Sequence, residues 1–185
     1  MDSFEFDSLS SSFLCKAQIM SQLRWKEEVD LNRPFFVIAL EGLFDAAGAA
    51  TSAVDRLVDS YDANPLADID PETFFNFQEE RPMVRINEGE REIVWPTNSI
   101  WGAKCPNENH DLVLLSGVEP HLRWRTFADS LLEIARSTSA EMVITLGAMA
   151  GMAPHTRPLG VVGSAADSGT ADRLGLGRPT YEGPT

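Results

Sequence analysis

Cysteine, histidine and positive charge are all scarce in this chain. The two cysteines, Cys15 and Cys105, lie ninety positions apart and fit no metal or redox spacing, so both are read as reduced thiols of an intracellular protein. Lysine and arginine total 15 against 28 acids, a net charge of −13. Residues 1–80 carry 16 of those acids and only 5 bases. Such a chain repels phosphate backbones and anionic lipid, which removes nucleic acid and membrane surfaces from the expected partners. A basic protein surface would be attracted, but acidity that only confers solubility is the plainer reading. Trp95, Trp101 and Trp124 with Phe74, Phe75 and Phe77 could stack on bases, but few basic residues accompany them, so core or subunit-interface packing is the reading. The longest apolar run, Phe35 to Leu40, is strand-sized and far short of a membrane span. The N-terminus is acidic and Ser-rich, without the basic start of a secretory signal. A cytoplasmic protein is expected.

What is present is patterned for an α/β domain. Phe13, Ala17, Met20 and Leu23 sit at helical spacing and predict a short amphipathic helix over 13–25. With Met1 to Ser12 it belongs to an N-terminal extension, residues 1–32, partly helical or disordered. The domain proper is placed at 33–185. Phe35 to Leu40 predicts a central strand covered on both faces. Small and apolar residues from Ala47 to Tyr61 then predict a helix over 46–61.

Arg81–Ile86 and Glu92–Trp95 read as a hairpin turning at Asn87-Glu88-Gly89-Glu90. Further strands are predicted at 100–104, at 111–115 ending in Gly117, at 141–146 ending in Gly147, and at 159–162. Helices are predicted over Trp124 to Ala135 and over 170–175. Strand, glycine turn and helix in succession predict a mixed, mostly parallel sheet with helices on both faces.

In open α/β sheets, ligands and partners meet the carboxyl ends of the strands. Glu41, Gly42 and Asp45 follow the first buried strand; Gly117, Glu119 and His121 follow the second; Gly147, His155, Thr156 and Arg157 follow the third. If these strands are parallel neighbours, the residues form one rim. Metal binding has no compact ligand spacing to support it, and no metal or cofactor is expected. Neither glycine pair completes a phosphate-binding loop. Carboxylates and a histidine with an arginine could perform acid–base work on a small molecule. Glu41, Asp45, Glu119, His155 and Arg157 would then be the catalytic set, but no nucleophile accompanies them. Against this stands a plainer reading, in which Asp45 caps the following helix and Glu41 and His155 order loops.

Several stretches carry a family likeness. Ala39-Leu40-Glu41-Gly42-Leu43-Phe44-Asp45-Ala46-Ala47-Gly48, Phe77-Gln78 with Arg81-Pro82, and Trp95-Pro96-Thr97-Asn98 come first in order. Gly117-x-Glu119-Pro120 with Trp124, Leu146-Gly147-Ala148 with Pro154 to Pro158, and Tyr181 to Thr185 complete the series. Their order and spacing resemble the proteasome-assembly-chaperone family, in the actinobacterial branch related to the second eukaryotic chaperone subunit. The likeness covers residues 33–185. It implies a three-layer α/β/α sandwich resembling the nucleoside phosphorylase/hydrolase-like fold. It also implies self-association as a homo-oligomer, a trimer, and non-enzymatic assembly or binding of protein complexes such as proteasome components. Relatives continue past the position of Thr185, so the family's C-terminal part is expected to be missing. The alternative is a phosphorylase- or hydrolase-like enzyme working at the same rim.

Overall fold

The computed structural model describes residues 22–152, 154, 156–158 and 160–177. They fall into two compact units divided after Met149. The expected helix over 13–25 lies outside the described residues up to position 21. Its last residues are not helical: Leu23–Trp25 is strand β1. Three residues are too few for helical periodicity to decide their state, and here backbone pairing decides it. Leu23 turns into the core, while Arg24 and Lys26 reach Asp70 and Asp68, each at 2.7 Å.

Phe35–Glu41 forms β2, and a one-turn 3-10 segment at Ala46–Gly48 leads into helix α1, Ala49–Ser60. The expected helix start near 46 is displaced because Ala47 and Gly48 both hold positive φ, of 59° and 65°. Strand β3, Asn64–Ile69, has no counterpart among the sequence expectations. Pro65 cannot donate to a ladder, and the sheet accommodates it at a register shift between Pro65 and Ala67. The one-turn helix α2, Pro71–Phe74, is capped by Asp70. Strands β4, Met83–Asn87, and β5, Glu90–Val94, form the expected hairpin, its two turn residues Glu88 and Gly89 at φ 51° and 88°.

Then follow β6, Asn98–Ala103; β7, Leu112–Val118; helix α3, Trp124–Ser137; and β8, Met142–Leu146. Gly117 does not end its strand: β7 runs one residue further, paired to β2 throughout. In the second unit, helix α4 covers Ser168–Leu174, and Ser164 bridges Gly177. The strand expected over 159–162 is absent from the described residues 160–162, where Val161 and Val162 are exposed.

The main sheet has the order β1-β3-β6-β7-β2-β8. The α/β class holds, but the balance of directions is corrected. Only β7, β2 and β8 run parallel, and the β1–β3, β3–β6 and β6–β7 pairings are antiparallel. The parallel strands are the three continuous apolar runs, each followed or preceded by a helical crossover. The antiparallel strands β1 and β3 are shorter or more polar.

Alternation along β2 and β7 sorts the two faces. Phe36, Ile38, Val113 and Leu115 pack with Phe127 and Ile134 of α3, together with Ile69, Phe74 and Ile100. Val37, Ala39 and Leu114 pack with Ala50 and Val54 of α1. These two layers bury the central strands on both sides and fix the height at which β2 and β7 end.

Candidate functional site

The carboxyl ends of β2 and β7 lie side by side, with Glu41 opposite Val118, and the Glu119 N–H donates to the Glu41 carbonyl at 2.9 Å. Beyond them opens a cavity of about 390 Å³ lined by Glu41, Gly42, Glu80, Glu119, His121 and Trp124, among others. The Glu119 carboxylate lies across Gly42, where any side chain would collide with it, and faces the Leu43 N–H at 3.4 Å. The rim expected from the strand ends therefore assembles Glu41, Gly42 and Glu119 in one place. His121 enters from the β7 side. Its Nδ1 is buried without a hydrogen-bond partner among the described residues, its ring meets Phe75 edge-on, and Nε2 stands 3.7 Å from Glu79.

Asp45 turns inward and is 6% exposed. One carboxylate oxygen accepts the Ala50 N–H at 2.7 Å and the Thr51 N–H at 3.4 Å, and the other accepts the Thr51 hydroxyl. Burial pushes this carboxyl up, but the Thr51 hydroxyl and the two N–H groups outweigh it and hold Asp45 below the ordinary carboxylate value. It secures the first turn of α1, the plainer of its two sequence readings. Gly147 lies against the Phe44 carbonyl; the Ala148 N–H donates to that carbonyl at 2.7 Å, and the Ala46 N–H donates to the Ala148 carbonyl at 3.0 Å. Gly117 sits beneath the Asn98 side chain, where β6 meets β7. His155 lies outside the described residues. Thr156 and Arg157 are exposed in the second unit, where the Arg157 N–H closes a turn onto the Pro154 carbonyl.

Asn98, Glu80 and Trp124 were not singled out as site residues by the sequence. Asn98 is 1% exposed, and its side chain accepts the Val118 N–H at 2.6 Å and donates to the Val118 carbonyl at 3.0 Å. The signal for it was its place at the end of Trp95-Pro96-Thr97-Asn98. Among the described residues no three His, Cys, Asp or Glu side chains converge as a metal would require. Burial, with the nearby Asp111 carboxylate, pushes the Cys105 thiol above its ordinary value, which suits a quiescent core cysteine.

The model of the PAC2 family matches residues 39–185. The chain belongs to the PAC2 family. A PAC2 family protein from Streptomyces avermitilis is 40% identical, with a TM-score of 0.78 over 82% of this chain and 65% of its own. A proteasome-assembly chaperone homologue from Mycobacterium tuberculosis is 41% identical, with a TM-score of 0.73 over 82% of this chain and 64% of its own. This chain thus spans just under two-thirds of these PAC2 relatives. An archaeal proteasome activator from Pyrococcus furiosus shares the fold at 20% identity and a TM-score of 0.52, over 68% of this chain and 51% of its own. No curated protein matches the chain at a significant level. No helix among the described residues is long and apolar enough to cross a membrane.

At the opposite ends of the strands, Asp111 repeats the chemistry of Asp45. It accepts the Asn32 and Cys105 N–H groups at 2.7 and 2.8 Å and faces Lys104 at 3.4 Å. Burial raises it, but these donors prevail and its value is lowered. Both carboxyls bind protons less readily in the folded than in the unfolded state. Their stabilisation is therefore complete above the ordinary carboxylate value, about 3.9, and is lost as pH falls through the lower folded values. Urea midpoints should fall steeply between about pH 4.5 and pH 2.5. Asp111→Asn should flatten that decline, and an unchanged slope in the variant would remove Asp111 from the account.

Proposed function

We propose that this chain is a non-enzymatic assembly module that binds proteasome-related proteins, acting in the cytoplasm as a homo-oligomer, with the trimer that the family likeness implies. The observation that carries this reading is PAC2 membership, with 41% identity to a proteasome-assembly chaperone homologue. The rim chemistry supports it. Asp45, the most buried carboxylate of the supposed catalytic set, already serves three donors of α1 and is committed to them. The other two carboxylates of that set, Glu41 and Glu119, border with Glu80 an open cavity beside the exposed Trp124. An acidic margin with an aromatic anchor suits a basic protein segment. Glu41 and Glu119 belong to this contact surface in our reading. Thr156 and Arg157, exposed in the second unit, are proposed as contact residues in their own right.

The test is reconstitution with actinobacterial proteasome α and β subunits. Native mass spectrometry should show the chain on an α-containing assembly intermediate, and the yield of complete particles should rise when it is present. No complex with either subunit and no change in yield would overturn the proposal. Thermal stabilisation by nucleosides, phosphate or amino-acid amides under the same conditions would instead assign the rim to a small-molecule enzyme.

A further inference from the structure

The β4–β5 hairpin is exposed along nearly its whole length. Two strands without a covering layer are marginal in water, so a ribbon of this kind gains its stability from a surface it packs against. Val84, Ile86 and Ile93 are each 60–66% exposed. Register gathers them: Val84 pairs with Ile93 and Ile86 with Arg91, so these four side chains share one face. That face is apolar with a single charge, Arg91, which has no ion-pair partner among the described residues. The opposite face carries the Met83–Val94, Arg85–Glu92 and Asn87–Glu90 pairs, and its one charged pairing is already complementary.

A second unpartnered feature has the converse character. A groove of about 370 Å³ is lined by Trp25, Val29 and Leu66, with Glu27 and Glu28 at its edge and the last turn of α3 as its wall. Trp25 is 44% exposed. Lys26, the groove's own cation, is already paired with Asp68 at 2.7 Å, which leaves Glu27 and Glu28 without a cation among the described residues. An apolar floor with an acidic edge is what a ribbon of three aliphatic side chains and one arginine requires.

We infer that the Val84–Ile86–Ile93 face of one copy docks into the Trp25–Val29–Leu66 groove of a second copy, with Arg91 against Glu27 and Glu28. Two different surfaces meet, so the contact is heterologous, and the trimer proposed above requires its rotation to close after three copies. The inference rests on the self-association reading above and deepens it by naming the contact.

The experiment is sedimentation equilibrium of the full chain and its variants, with circular dichroism confirming the fold. These substitutions lie on an exposed ribbon and an exposed groove edge, so folding should be unaffected. Ile86→Asp should weaken association about tenfold or more, and Arg91→Glu should weaken it measurably. Adding Glu27→Arg and Glu28→Arg to Arg91→Glu should restore association. A wild-type chain that is monomeric at all concentrations overturns self-association altogether. An oligomer indifferent to Ile86→Asp overturns the hairpin contact alone, and failure of the charge reversal to rescue overturns the groove assignment.

Discussion

Replacing Asn98 with leucine should lower stability by about 2–4 kcal/mol, although leucine is nearly the same size and more apolar. The reason lies in where the β6–β7 ladder stops. Strand β7 extends to Val118, but its last residue paired with β6 is Ser116, opposite Ser99. The Val118 N–H and carbonyl on that side would have no ladder partner, and the Asn98 amide supplies both bonds. Leucine would leave a part-buried donor and acceptor unpaired next to the core, and that loss exceeds the gain from one more apolar side chain. In a protein of this size the melting temperature should drop by roughly 2–4 °C per kcal/mol.

The same geometry dictates Gly117. A Cβ there would collide with the Asn98 carboxamide and stand 3.1 Å from the Asn98 backbone. Gly117→Ala should therefore be destabilising alone, and the Asn98→Ala/Gly117→Ala pair should cost less than the sum of the single changes. Thermal denaturation of the four proteins measures this. Strict additivity would show that the amide and the glycine act independently and would overturn the coupling. Because Val118 leads directly into Glu119, loosening this corner should also blur the position of the Glu119 carboxylate over Gly42.

These contacts show where the sequence was legible and where it was not. The parallel strands were visible because a strand buried on both faces must be continuously apolar, and Phe35 to Leu40 can be little else. Helix α3 was visible from its spacing, and the hairpin from the polar stretch Asn87 to Glu90, where Gly89 meets one of the two positive-φ positions and Glu88 takes the other against its preference. Strand β3 was hidden because Pro65 and Asp68 argue against a strand locally. Only the antiparallel neighbours β1 and β6, with the cation pairs to Asp68 and Asp70, make it one. The preference for parallel pairing failed for the same reason, since the polar half of the sheet is held by tertiary pairing and not by its own pattern. At the site, the rim position of Glu41 and Glu119 was legible from strand ends. The partner of each carboxylate was not, because a capping carboxylate and a catalytic one can stand at the same sequence position.

Asp45 separates those two roles experimentally. Asp45→Ala should destabilise the fold by about 2–4 kcal/mol, because a buried Ala50 N–H and the Thr51 N–H and hydroxyl lose their acceptor together. The Ala47 and Gly48 conformations, both left-handed, are held in part by this anchor, so the loop from Gly42 to Gly48 should loosen with it. Asp45→Asn keeps one carbonyl oxygen for the Ala50 N–H and can turn its amide toward the Thr51 oxygen, so its loss should be about half as large. The charge is what the asparagine removes, and with it the acid-sensitive share of the stability carried by this residue. Urea midpoints at pH 7 and pH 3 therefore give a signature that a catalytic carboxylate would not produce. The gap between wild type and Asp45→Asn should be wide at pH 7 and narrow at pH 3. A catalytic Asp45 free of structural duty would tolerate both substitutions with no change in midpoint, and would show its effect in turnover alone.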